Sequence, residues 1–248
     1  MFDQKTKTLR DFKRSIIKTI TTEESFERPD GCWGKNNKNG FIQDVFCEFA
    51  ATPIVLADVN SCRHYADIQQ DEVSEQYFDK MYLRKFRYIS LDGKHRTKCI
   101  LDFLNNEEGA TYTGVTVDLE GNRVTVRNKY FKDLPESVQN KFLNSQICMT
   151  VFEDVRKEDL SRIFLGLNAN ESLTKQHKRN ALQTPMSKWT RDLAKDHKSL
   201  FVSLFGPKSL PLMKPEEFIS KLYLHYTDSK SDVGESALNR LYKDGVNL

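Results

Sequence analysis

Residues 86 to 106, FRYISLDGKHRTKCILDFLNN, limit the possible folds of this chain more than any other stretch. Phe86 to Leu91 has the composition of a short strand, Asp92-Gly93 marks a turn, and the apolar spacing beyond it is helical, opening on Arg96 and running over residues 96 to 106. A strand that re-enters directly as a helix brings the orphan N–H groups of the helix start and the positive end of its dipole to one place. Such a place suits an anion, for example a phosphate. Gly93 permits a sharp turn and a close approach of backbone to ligand, while Lys94, His95 and Arg96 add donors and positive charge. The same residues also read as a plain Asp-Gly turn followed by a solvated basic helix start, and the pattern alone leaves both readings open.

On either side the pattern is mixed early and helical late. Leu9, Phe12, Ile16, Ile17 and Ile20 recur at helical spacing and predict an amphipathic helix over 8–21. SFERPDGCWGKNNKNG reads as a loop, Phe41 to Ala50 as a helix, Pro53 to Ala57 as a buried strand, and 60–80 as a polar, partly helical insertion. TYTGVTVDLEGNRVTVRNKYF alternates with period two about Glu120-Gly121-Asn122, a β-hairpin pattern. Leu134-Pro135-Glu136 opens a helix, with Pro at a tolerated early position, and Ile147 to Phe152 is a further strand. Helices follow over 157–167, 174 to about 198 with a break or restart at Pro185, 215–227 and 235–243. The expectation is an α+β domain over residues 1–154 followed by an all-helical subdomain over 155–248.

No apolar run approaches the roughly 20 residues that cross a bilayer, and MFDQKTKTLRDFKRS lacks the apolar core of a secretory signal. Five cysteines, odd in number and without a CxxC pair, favour reduced thiols over a disulfide framework or a zinc site, so a cytoplasmic protein is expected. The net charge of +3 is unevenly spread: residues 171 to 214 carry +6 and the remainder −3. Basic charge gathered in one helical region fits a polyanionic partner, with nucleic acid the first candidate, and equally a solvated helix face. Lys175, Lys178 and Arg179, at i, i+3 and i+4, would share one helix face able to meet a DNA backbone.

Four segments in order carry a resemblance. SLDGKHRTKCILDFLNN resembles the DGQQR signature and its helix in the GmrS-like domains of modification-dependent restriction enzymes, within the wider ParB/sulfiredoxin fold. FKDLPESVQNKFLNSQICMTVFED resembles the family's LP, short helix and strand; DLSRIFLGLNANESLTKQHKRNAL resembles its Asn turn and charged helix ending in R-N-A. FERPDGCW with GFIQDVFCEFAATPIVL is similar to its upstream loop, helix and P-I-x-L strand. The resemblance spans roughly residues 9 to 185 and implies a ParB/sulfiredoxin-like mixed-sheet domain binding a nucleotide. The two positions before the arginine, Gln in the signature, are Lys94 and His95 here. Sulfiredoxins have a catalytic cysteine where this chain has Lys94, so their chemistry is not implied.

By that resemblance Gly93, Lys94 and the backbone beyond hold a phosphate of ATP, GTP, CTP or UTP, and Arg96 clamps it. Asp92 would hold Mg2+ or Mn2+ with its water, act as a general base, or serve only the turn. His95 is a candidate proton donor, since imidazoles titrate near neutrality, or a helix-start histidine. Arg28 and Trp33 would close over the nucleotide, Trp33 by stacking on the base or by packing under its loop. Asn168 and Asn170 occupy the Asn turn, where they would orient a phosphate or the GKHR loop or serve only as turn residues, and Lys175, Lys178 and Arg179 would meet DNA. The implied function is an NTP-hydrolysing domain that acts on or senses DNA in a restriction or phage-conflict setting. A phosphotransferase (kinase) acting on DNA, a nucleoside or a small hydroxyl substrate is one alternative; a non-catalytic DNA-binding regulatory module is another. Partners implied are a nucleotide, DNA, and a nuclease subunit or further copies of the chain, with no membrane.

Overall fold

The computed structural model describes residues 1–21, 33–48, 53–168, 173–227 and 233–244. Of these, the residues up to Leu160 form one compact unit and those from Ser161 a second. The division falls inside a helix, just past the expected boundary at 154. No helix among the described residues is long and apolar enough to cross a membrane.

The first unit begins with β1 (Phe2–Thr8), then a helical stretch made of α1 (Leu9–Asp11), a π turn (Phe12–Ile16) and a 3-10 turn (Ile17–Thr19). β2 (Ile20–Thr21), α2 (Lys35–Phe46), β3 (Ile54–Asp58), α3 (Val59–Gln69), α4 (Glu72–Leu83), β4 (Tyr88–Asp92) and α5 (Lys94–Leu104) follow. Then come β5 (Tyr112–Val117), β6 (Arg123–Lys129), α6 (Glu136–Asn144) and β7 (Gln146–Phe152). Five strands form one mixed sheet in the order β1-β7-β3-β4-β2, and β5 and β6 pair as a separate hairpin. β1–β7 and β3–β4 are antiparallel, while β7–β3 and β4–β2 are parallel. The central strand β3, IVLAD, is buried along its whole length, as a continuous apolar run in mid-sheet should be. Helix α5 packs its Cys99, Ile100, Phe103 and Leu104 into the core with Phe46 and Phe142. The Phe46, Phe103 and Phe142 rings meet pairwise at centroid distances of 4.7 to 6.5 Å.

Several expectations need correction. Helix α5 opens at Lys94, not Arg96, because Gly93 supplies the left-handed residue before the first turn and Thr97 N–H already bonds the Gly93 carbonyl at 2.8 Å. Residues 35–40, KNNKNG, are helical despite their loop-like composition. Asn39 exchanges two hydrogen bonds with the Thr113 backbone (2.7 and 2.8 Å) and Gln43 donates to the Val115 carbonyl (2.8 Å), so α2 is fastened to the hairpin. Tertiary bonds thereby outweigh weak intrinsic propensity. The insertion at 60–80 is two helices, each started by an aspartate: Asp58 accepts from the Asn60 and Ser61 N–H groups, and Asp71 from Ser74 N–H. Strand β1 was not expected; its side chains are mostly exposed along the sheet edge, so it carries no apolar alternation. Ile20 and Thr21 leave the predicted 8–21 helix to pair with β4.

α7 (Lys157–Leu167), the helix in which the division falls, matches its expected span, and in the second unit α8 (Lys175–Asn180) and α9 (Pro185–Asp196) are separated where Pro185 restarts the helix. Thr184 caps α9 by accepting from Ser187 N–H, with Pro185 at the first position. α10 (Lys198–Phe205) and a 3-10 turn (Pro207–Leu212) fill a stretch left unassigned by the pattern, before α11 (Lys214–Thr227) and α12 (Glu235–Asp244). Trp189 packs against Met186, Leu241 and Tyr242 on one side and Ala194, Phe201 and Ile219 on the other.

Candidate functional site

Val55 of β3 lies opposite Asp92, the last residue of β4. The chain then turns through Gly93, whose φ of +102° is open to glycine and costly for other residues. A side chain there would also meet the Ile54 Cα at 3.1 Å, so the turn sits directly on the central strand. Asp92 closes the turn from the other side: its Oδ1 accepts the Gly93 N–H at 2.7 Å and its Oδ2 accepts Arg96 Nη2 at 2.5 Å.

Arg96 is one turn into α5, with a side chain only 13% exposed. Its Nε is buried and has no hydrogen-bond partner among the described residues. A buried guanidinium N–H without an acceptor is unfavourable unless something accepts from it. Trp33, just before α2, lies nearly parallel to the His95 ring at a centroid distance of 6.0 Å and 13°, and meets Phe41 edge-on at 5.5 Å. The turn thus gathers Asp92, Gly93, Lys94, His95 and Arg96, with Trp33 on His95. The expected stacking surface of Trp33 is partly taken by a side chain of the site itself.

Of the remaining predicted residues, Asn168, Lys175, Lys178 and Arg179 belong to the second unit. Arg28 and Asn170 lie outside the described residues. Asn168, in the second unit, is buried and its Nδ2 donates to the Phe164 carbonyl at 2.8 Å, closing the end of its own helix. Lys175 pairs with Glu235 and Lys178 is exposed. Arg179 is a correction: it does not share their exposed face but is 4% exposed inside the helical unit. It donates to Gln176 Oε1 (2.8 Å) and Asn239 Oδ1 (3.2 Å) and lies 3.7 Å from Glu217, while Gln176 in turn donates to the Tyr242 hydroxyl (2.6 Å). Burial pulls its guanidinium below the ordinary value, opposed by Glu217. On a six-residue helix that docks one side, the i+4 position fell inward with Gln176.

Among the described residues no three His, Cys, Asp or Glu side chains stand together as a metal cluster. A cation at this turn would rest on Asp92 and on the oxygens of a ligand, an arrangement that suits Mg2+ better than an all-protein cage. The pattern missed two features. One is a cavity along α5, lined by residues from α2, α5 and the 109–111 loop. The face of α5 carrying His95, Cys99 and Asp102, at i, i+4 and i+7, was the available signal. The other is Glu216, buried with an unpartnered Oε2 in the second unit. A larger cavity between α3 and α4, lined by Arg63, His64, Asp67, Glu75 and Tyr82, holds none of the predicted residues. No protein-family model, curated protein or solved structure matches the chain.

Proposed function

We propose that the first unit binds a nucleoside triphosphate through its phosphates at the Asp92–Arg96 turn and hydrolyses it, in a protein that acts on or senses DNA. The observation that supports this reading most is Arg96: a nearly buried guanidinium at the start of an 11-residue helix, held by Asp92 through one nitrogen and left with a donor to spare. Phosphate oxygens are acceptors matched to that fork. The step from phosphate to nucleotide and DNA rests on the resemblance of the turn, the LPES segment and the LNANESLTKQHKRNA block to GmrS-like domains, and a mixed five-stranded sheet is compatible with a ParB/sulfiredoxin-like fold.

In this reading Gly93 keeps the backbone low enough for a phosphate to approach, Arg96 neutralises it, and Lys94 adds charge at the helix start. His95, braced by Trp33, supplies a proton to the leaving oxygen. Asp92, with the phosphates, holds Mg2+ or Mn2+, which when bound offsets phosphate charge. DNA contact falls to Lys178 and to other exposed lysines of the second unit, among them Lys195, Lys198, Lys208 and Lys214, rather than to Arg179.

A second reading, nucleotide binding without turnover, is favoured by the state of Asp92: both its oxygens accept hydrogen bonds, from Gly93 and from Arg96. One panel separates the two. ATP, GTP, CTP and UTP are tested with Mg2+ or Mn2+, with and without DNA, for thermal stabilisation and for phosphate release. Hydrolysis predicts both signals, and their loss in Arg96→Ala and Arg96→Lys; binding alone predicts stabilisation without release. If no nucleotide raises the melting temperature, both readings are wrong.

A further inference from the structure

We infer that the cavity beside α5 is the base pocket of the nucleotide held at the turn, and that it selects guanine. The inference rests on the nucleotide reading above and adds the identity of the base. The cavity has a volume of about 170 Å³, small for a whole ligand but suited to one ring system. Trp33, Ile42 and Phe103 supply apolar wall, and Asp102 and the 109–111 loop supply the polar side.

Trp33 joins the two sites, because it lines this cavity while its ring lies along His95 in the first turn of α5. His95 and Asp102 are seven residues apart on the helix, on the order of 10 Å along its axis, which is the span of a mononucleotide from phosphate to base edge. A phosphate at Gly93–Arg96 therefore places its base at this cavity if the nucleotide runs along α5 beneath α2.

Asp102 sets the choice of base. Its side chain is 15% exposed, and its two oxygens face Lys98 Nζ (3.0 Å) and Lys38 Nζ (3.7 Å), an ion-pair arrangement that fixes it in place. An ionised carboxylate only accepts hydrogen bonds, and each oxygen has a second lone pair beyond its lysine. Guanine alone among the four bases presents two adjacent N–H donors, at N1 and N2, that match two carboxylate oxygens. Uracil presents one N–H between two carbonyls, which an anionic group repels. Cys99 cannot serve as a second anion here, since burial pushes its thiol up to about 12.

The test measures equilibrium binding of GTP, UTP and inorganic tripolyphosphate to the full chain in Mg2+ buffer. Wild type should bind GTP at least roughly tenfold more tightly than UTP or tripolyphosphate, the scale of hydrogen bonds to a charged group. Asp102→Asn should remove that advantage and leave tripolyphosphate binding within about twofold. Ala110→Trp, which fills the cavity from the loop side, should do the same without touching the carboxylate. Equal binding of GTP and tripolyphosphate by wild type overturns the pocket by itself, whatever the variants do. So does an equal loss of both ligands in Asp102→Asn. Binding of neither GTP nor tripolyphosphate removes the nucleotide reading and this pocket with it.

Discussion

Replacing Gly93 by alanine tests the geometry on which the site depends. Two costs add. A non-glycine residue at φ +102° is strained by about 1–2 kcal/mol. The new Cβ would then stand 3.1 Å from the Ile54 Cα and 3.2 Å from both its Cγ atoms. Ile54 begins the central strand, bonded to β7 on one side and β4 on the other, so the backbone yields little and crowding adds about 1–2 kcal/mol. The expected loss is about 2–4 kcal/mol, slightly reduced because alanine also restricts the unfolded chain. Gly121→Ala is the control: Gly121 also has positive φ, +87°, but a Cβ there meets nothing within 4 Å, so only strain applies. The chain has two tryptophans, one in each unit, so in a Trp189→Phe background Trp33 fluorescence follows urea unfolding of the first unit. The difference between the two glycine variants isolates the contact with Ile54, because strain and unfolded-state terms largely cancel. If Gly93→Ala costs no more than Gly121→Ala, the turn does not rest on the central strand as described, and the placement of Arg96 loses its support.

Three further outcomes follow from groups in both units. Burial pushes the Glu216 carboxyl from its ordinary 4.5 up to about 7, so folding favours the protonated form. Below pH 4.5 both states are protonated and nothing is lost; from there to pH 7 the second unit should lose about 3 kcal/mol, and Glu216→Gln should flatten that slope in urea titrations. Parallel slopes in the two proteins would show that the carboxyl is not buried. Arg179→Ala should destabilise the second unit by about 2–4 kcal/mol, read by Trp189 fluorescence, because Gln176, Asn239 and Glu217 lose their shared partner. A variant as stable as wild type but with weaker, less salt-dependent DNA binding would return Arg179 to the surface. Cys62 and Cys99, both pushed up to about 12 by burial, should react with a thiol reagent at pH 8 on the order of 10³-fold more slowly than the partly exposed Cys47 and Cys148. Peptide mass mapping gives the order, and early labelling of Cys99 would contradict its burial.

What was legible in the sequence was local. The strand, turn and helix at 88–104 are written in consecutive residues, as are the hairpin about Gly121 and the restart at Pro185, where a single backbone preference decides the outcome. What was not legible came from bonds to distant partners. Asn39 reads as a loop former, yet in α2 its amide satisfies both backbone groups of Thr113, and nothing near Asn39 announces Thr113. Strand β1 exists because β7 offers an edge, with partners from Phe2↔Phe152 to Thr8↔Gln146, and its own side chains carry almost no pattern.

The candidate site divides in the same way, and the division explains why Arg179 and Arg96 came out opposite to each other. Both are helical arginines, and sequence gives each a role in meeting an anion, a phosphate for Arg96 and a DNA backbone for Arg179. Arg96 follows a turn pinned to the central strand, so its side chain lies along the turn and is balanced by Asp92 four residues back, with Nε left over. Arg179 sits on a short helix whose inner face is set by Gln176, Tyr242 and Asn239, and there its donors are taken up by partners that arrive from α12 and α11. The charge of an arginine is visible in sequence, but whether its donors are spent is decided by residues up to 60 positions away. A buried guanidinium with a spare donor points toward a ligand, whereas one whose donors are distributed among its own neighbours points toward a core. That distinction, rather than charge or motif, places the phosphate reading at Arg96 and removes it from Arg179.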